Sequence, residues 1–167
     1  MRLTRCLPFA LVVAWASASP AMAVGHWQYA KWDMTAVELV AASNGEVQLY
    51  DPKPGDKRFD TTQLATGRFS QDGIEYDVRY LFADSSRRLV AIELAPDASR
   101  CDQAKTALAA RLAEPIIDRR EYSMGAQVAI TLLHTWINPE SGEKTVYREL
   151  GWRGEPPSNC AVTISPR

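Results

Sequence analysis

Two histidines and three cysteines are the side chains of this sequence with most scope for chemistry near neutral pH. A hydrolase would have to build its nucleophile and base around His26, His134 or a free thiol, and the surrounding patterns offer no support. There is no G-x-S-x-G, no Gly-rich phosphate loop, no C-x-x-C and no H-E-x-x-H. His134 falls in strand register with Leu132 and Trp136, which reads as a half-buried histidine satisfied by a neighbour before it reads as a general base. Asp51, Asp56 and Asp60 share one segment, but their spacing matches no calcium loop, so a solvated loop is the expectation. The chain is therefore read as not an enzyme, with an unrecognised hydrolase kept as the last alternative.

The two remaining chemistries depend on where the chain goes. Arg2 and Arg5 precede an apolar run over residues 7–16 and a small-residue exit, Ala21-Met22-Ala23, which is the pattern of a secretory signal peptide. The run falls short of the roughly 20 apolar residues needed to span a bilayer. Cys6 lies before the apolar core instead of at its end, the wrong place for a lipid-anchor cysteine. Cleavage after Ala23 would free the terminus Val24-Gly25-His26, whose amine, two amides and imidazole can wrap Cu(II) or Ni(II) in a square-planar nitrogen set. Export also leaves Cys101 and Cys160 as an even pair in an oxidising compartment, so a disulfide is predicted between them. In the chain-entropy description a loop of that size stabilises by about 4 kcal/mol.

Charge narrows the partners. Loss of Arg2 and Arg5 with the leader takes 19 basic residues to 17, against 20 acidic ones. A mildly acidic, mixed surface gives no electrostatic basis for nucleic-acid binding, and nothing predicts stable membrane insertion. Residues 24–167 are enough for one domain, of periplasmic or secreted location.

The elements that must position these groups follow from local pattern. In KWDMTAVELVAAS, residues 31–43, Thr35 and Glu38 form a capping box, and Met34 and Leu39 a hydrophobic staple. Val37, Val40 and Ala41 are the predicted buried stripe, and Asn44-Gly45 the left-handed stop. Ile74, Tyr76, Val78, Tyr80 and Phe82 alternate with polar residues in a strand. Asp72-Gly73 pairs it with a strand around residues 66–70, and residues 89–95 return as the next. A second helix is predicted with Ser99 and Asp102 as its capping signal, Cys101, Ala104, Leu108 and Leu112 along one face, and Pro115 as its stop. Strands then follow within residues 126–137, 145–152 and 160–164.

The order helix, strands, helix, strands argues an α+β fold, with an antiparallel meander in one sheet or two and both short helices on one face. Repetition of that order suggests tandem halves at residues 32–96 and 97–167. Residues 51–58, with two prolines and a glycine, read as a projecting loop, and 155–159 as a smaller one. Trp27, Tyr29, Trp32, Trp136 and Trp152 are expected to anchor the core. The candidate partner-binding surface is Tyr50, Asp51, Lys53, Asp56, Lys57, Arg58 and Phe59.

The W-x-M-T-x-x-E-L-V helix start, the D-G hairpin into IEYDVRYLF and the strand RLVAIELA resemble small bacterial envelope modules in which helices cover an antiparallel sheet. These are the SmpA/BamE type and the tandem β-lactamase inhibitory protein type. The resemblance implies a non-catalytic module that binds an envelope protein or inhibits an enzyme. The chain departs from the first type in lacking a lipobox cysteine, and from the second in having cysteines for one disulfide only, so no functional residue is carried over. The reading is an exported, monomeric protein-binding module. A small-ligand or metal carrier using the amino terminus is the alternative.

Overall fold

The computed structural model describes residues 27–166. The predicted leader and the Val24-Gly25-His26 motif lie outside them. Among the described residues the chain runs α1 (Ala36–Ala42), β1 (Val47–Leu49), β2 (Lys57–Arg58), β3 (Thr61–Gln71), β4 (Ile74–Ala83), β5 (Leu89–Pro96), a 3-10 turn (Ala98–Arg100), α2 (Cys101–Ala109), β6 (Ile116–Met124), β7 (Gln127–Ile137), β8 (Lys144–Trp152) and β9 (Asn159–Ser165). The fold is α+β, and the sheet question has one answer: the strands form one antiparallel sheet in the order β1-β3-β4-β5-β9-β8-β7-β6, with β2 beside β3. The two meanders meet where Ile92, Glu93 and Leu94 of β5 pair with Ile164, Thr163 and Val162 of β9.

The helix start behaves as its residues dictate. Thr35 accepts from the Glu38 amide and Glu38 from the Thr35 amide, the latter at 2.7 Å. Asn44 and Gly45 both take positive φ, 52° and 94°, and end the helix. The buried stripe differs from the expected one. Val37 and Ala41 face solvent, and the row that meets the sheet is Ala36, Leu39, Val40 and Ser43. The staple decides this, because packing Leu39 inward turns the helix about its axis and leaves Val37 outside. Ser43 is buried with its hydroxyl satisfied, donating to Val40 O at 2.8 Å and accepting from Val47 N at 3.0 Å.

Side chains that share register with Tyr80 define the covered face of the sheet. Ala65, Gly67 and Phe69 of β3, Val78 and Tyr76 of β4, Ile92 and Leu94 of β5, Val162 of β9 and Tyr147 of β8 all point this way. Gly67 is required here, since a Cβ would sit 3.1 Å from Glu46 O and 3.7 Å from the Tyr80 ring. Trp27 packs edge-on to Phe69 at 5.1 Å, Tyr29 hydrogen-bonds Tyr80, and Trp136 is buried with its Nε1 donating to Ala113 O at 2.7 Å. These aromatics are core anchors, as expected.

Cys101 and Cys160 form the predicted disulfide, Cα atoms 5.7 Å apart, joining the first residue of α2 to β9. The second helix starts differently from expectation. Asp97, not Ser99, caps the 3-10 turn by accepting from Ser99 N and Oγ, and α2 itself has no side-chain cap. The helix ends at Ala109, well short of Pro115.

One strand was absent from the pattern. β6, IIDRREYSM, has no apolar alternation and is exposed along nearly its whole length. Pro115 before it and Gly125 after it were its only local punctuation. The hairpin is the two-residue turn Gly125-Ala126, with Gly125 at φ 66°.

Candidate functional site

The opposite face of the sheet carries the other half of each alternating strand, and its polar residues gather beneath the 50–59 segment. Gln48 of β1, Gln63, Thr66 and Arg68 of β3, and Asp77 and Arg79 of β4 line an open groove of about 920 Å3, with Tyr50, Asp56 and Arg58 forming the wall above. Its floor rests on Glu93 of β5, which is only 3% exposed. Glu93 Oε2 accepts from Arg58 Nη1 at 2.5 Å and Oε1 from Arg79 Nη1 at 2.9 Å. A carboxylate taken from water must keep its oxygens satisfied, and this one does so with two guanidinium groups. The two arginine side chains are each 40% exposed and each guanidinium spends one N–H on Glu93, so donors remain for a ligand.

The loop above is held from within. Tyr50 N donates to Leu64 O, and both the Tyr50 hydroxyl and the Lys53 amide donate to Asp56 Oδ2, at 2.9 and 2.6 Å. The Lys53 amide first and the Tyr50 hydroxyl second hold the Asp56 carboxyl below the usual range, and the same bond raises the Tyr50 phenol. At its far end the segment is not a plain loop as expected. Lys57 and Arg58 pair as β2 with Thr62 and Thr61, and Lys57 Nζ meets Asp84 Oδ2 at 2.7 Å. Two prolines and a glycine end at position 55, so nothing prevents extended backbone after it.

Of the residues singled out from sequence, Tyr50, Asp56 and Arg58 come together at the groove. Asp51 and Lys53 remain exposed on the loop, Lys57 turns to Asp84, and Phe59 stands fully exposed at φ 55° beside Arg58. Gln48, Gln63, Arg79 and Glu93 were not singled out. Glu93 had a readable signal, an acid inside the apolar strand RLVAIELA, which demands a buried partner. Three arginines and three acids, Glu46, Asp56 and Asp77, line the groove, so it suits a polar ligand of mixed charge over a polyanion.

A smaller groove of about 320 Å3 lies on the covered face, between α2 and β6–β8. Lys105 bonds Glu149 Oε1 at 2.8 Å and Asp102 Oδ1 at 3.1 Å, and Tyr147 Oη lies 2.8 Å from Cys101 O and 3.0 Å from Glu149 Oε1. Burial works against the Lys105 ammonium, but these carboxylates outweigh it and raise its pKa. His134 does not line this groove. It packs against Trp136 and Tyr147, and its Nε2 is buried without a hydrogen-bond partner. Burial first, then the Lys105 charge, depress its pKa against the pull of Glu149.

Among the described residues no three His, Cys, Asp or Glu side chains gather to hold a metal ion, and no helix is long and apolar enough to cross a membrane. No family model, curated protein or solved structure matches the chain.

Proposed function

We propose that this chain is an exported, non-catalytic module that binds another envelope protein, using the groove under the 50–59 segment and the exposed aromatic that follows Arg58. The observation that carries the reading is Phe59: a fully exposed aromatic, in left-handed backbone where a bulky residue is strained, next to an arginine anchored on Glu93. The loop bearing it is pinned by Tyr50, Asp56, Lys57 and Thr61, so little conformational freedom is lost when a partner docks. The helix-then-meander order of residues 32–96 and 97–167 supports reading the halves as a tandem α-β repeat.

The test is capture of a stoichiometric partner from envelope extract by the mature protein, repeated with Phe59→Ala and Arg58→Ala and with Trp152→Ala as a control distant from the groove. Wild type and control retain the partner, and the two groove variants lose it. Equal retention by all four sinks the groove as the binding surface, and no partner at all with a thermal shift on adding copper alone sinks the reading in favour of a carrier.

A further inference from the structure

We propose that β6 is a dimerisation edge, where a second copy of this chain pairs antiparallel with its own β6 about a two-fold axis at Arg119. This departs from the monomer expected from sequence.

Among the described residues β6 ends the sheet and pairs only with β7. Met124 and Gln127 flank the two-residue turn, so they form a hydrogen-bonded pair, and by alternation Tyr122, Arg120, Asp118 and Ile116 also spend their backbone groups on β7. The N–H and C=O groups of Ile117, Arg119, Glu121 and Ser123 therefore face outward. An outward row of that length is a template for another strand.

Side-chain chemistry selects the occupant. Ile116 and Tyr122 are 66% and 51% exposed. Between them, on the same face, Arg120 Nε donates to Asp118 Oδ2 at 2.8 Å, while Arg119 Nη2 meets Glu121 Oε1 at 3.0 Å on the other. Each face thus carries one acid and one arginine two residues apart, and reversal about Arg119 makes the Asp118/Arg120 face complement itself, while on the other face Glu121 lies opposite Ile117. With the axis at Arg119, Asp118 stands opposite Arg120 twice and Ile116 opposite Tyr122 twice, both favourable cross-strand pairs. The two Arg119 side chains meet at the axis, each already held by its own Glu121. Moving the register by one residue sets Asp118 against Glu121 and Arg119 against Arg120, and also exchanges the faces. Moving it by two pairs Arg119 with Glu121 but sets Arg120 against itself and Tyr122 against Asp118, and the Ile116–Tyr122 contact is lost. The contact is isologous, so it closes at two copies and joins two nine-stranded sheets edge to edge.

Sedimentation equilibrium of the mature, disulfide-bonded protein over a concentration series tests this, with a mass rising from monomer to dimer and no further. Arg119→Pro removes an outward N–H without costing a bond to β7, and gives a monomer with unchanged circular dichroism whose melting temperature matches that of wild type diluted to monomer. Asp118→Arg puts like charges opposite each other at two places and weakens association about tenfold, and combining it with Arg120→Asp restores it. A short thiol cross-linker captures Arg119→Cys as dimer in preference to Arg120→Cys. A wild type that stays monomeric at every concentration, even while β6 takes up a foreign strand, overturns the proposal. So does an Arg119→Pro variant that dimerises as wild type does.

Discussion

β4 and β6, strands of similar length from the two halves of this sheet, receive opposite treatment. In β4 every second residue is buried, beneath Trp27, Tyr29 and α1, whereas β6 has no buried residue at all. The amino-terminal meander is covered by a helix and an aromatic segment together. Among the described residues the carboxy-terminal meander is covered mainly by α2, nine residues long, which reaches β8 and β9 and leaves β6 bare. The disulfide ties α2 to β9 at the inner, buried side of the less covered half, and the exposed β6 end is left available for another surface.

The comparison breaks most visibly at the disulfide. Replacing Cys101 and Cys160 by alanine lowers stability by about 4 kcal/mol in urea denaturation. Amide exchange in β8 and β9 then quickens more than in β4, and an equal rise throughout the sheet shows one cooperative unit in place of two unequal ends. On the covered end, Leu39→Ala costs about 3 kcal/mol, while Val37→Ala on the same helix stays within about 0.5 kcal/mol. Equal costs from the two would refute the helix orientation.

Two smaller effects sharpen the thin end. Tyr147→Phe removes the single hydroxyl proton that lies between Cys101 O and Glu149 Oε1, the latter keeping Lys105, and costs about 1 kcal/mol by thermal unfolding. His134 is held below its ordinary value of 6.5, so the unfolded chain binds its proton first as pH falls. Its contribution is therefore complete above that value and declines as pH drops below it. In a pH series of unfolding midpoints, His134→Gln flattens this decline, and a variant as pH-sensitive as wild type shows that another group is responsible.

Several elements could be read from short stretches of chain. The Thr35–Glu38 box, the Asp72-Gly73 turn with φ of 54° and 73°, and the alternation through β4 each depend on residues within a few positions of one another. Legibility failed where local signals competed or were silent. Asp97 displaced Ser99 as the cap because its carboxylate already holds the Ser99 amide and hydroxyl. β6 was invisible because a strand with both faces wet has no period to detect. At the groove, the proline-rich loop was legible as a projection, and the strand residues beneath it were legible only as a wet face.

Local chemistry by itself determined that α1 begins at its threonine cap and that β3 turns into β4. Counting cysteines outside the predicted leader left one pair to join. Only the tertiary structure decided that β5 meets β9, that Arg58 reaches past two strands to a buried Glu93, and that the IIDRREYSM strand is a bare edge. The physical reason is range. Caps and turns are satisfied by neighbours in sequence, whereas strand order and the pairing of a buried charge depend on groups tens of residues apart: the acid inside RLVAIELA shows that a partner is needed, and neither stretch alone says which.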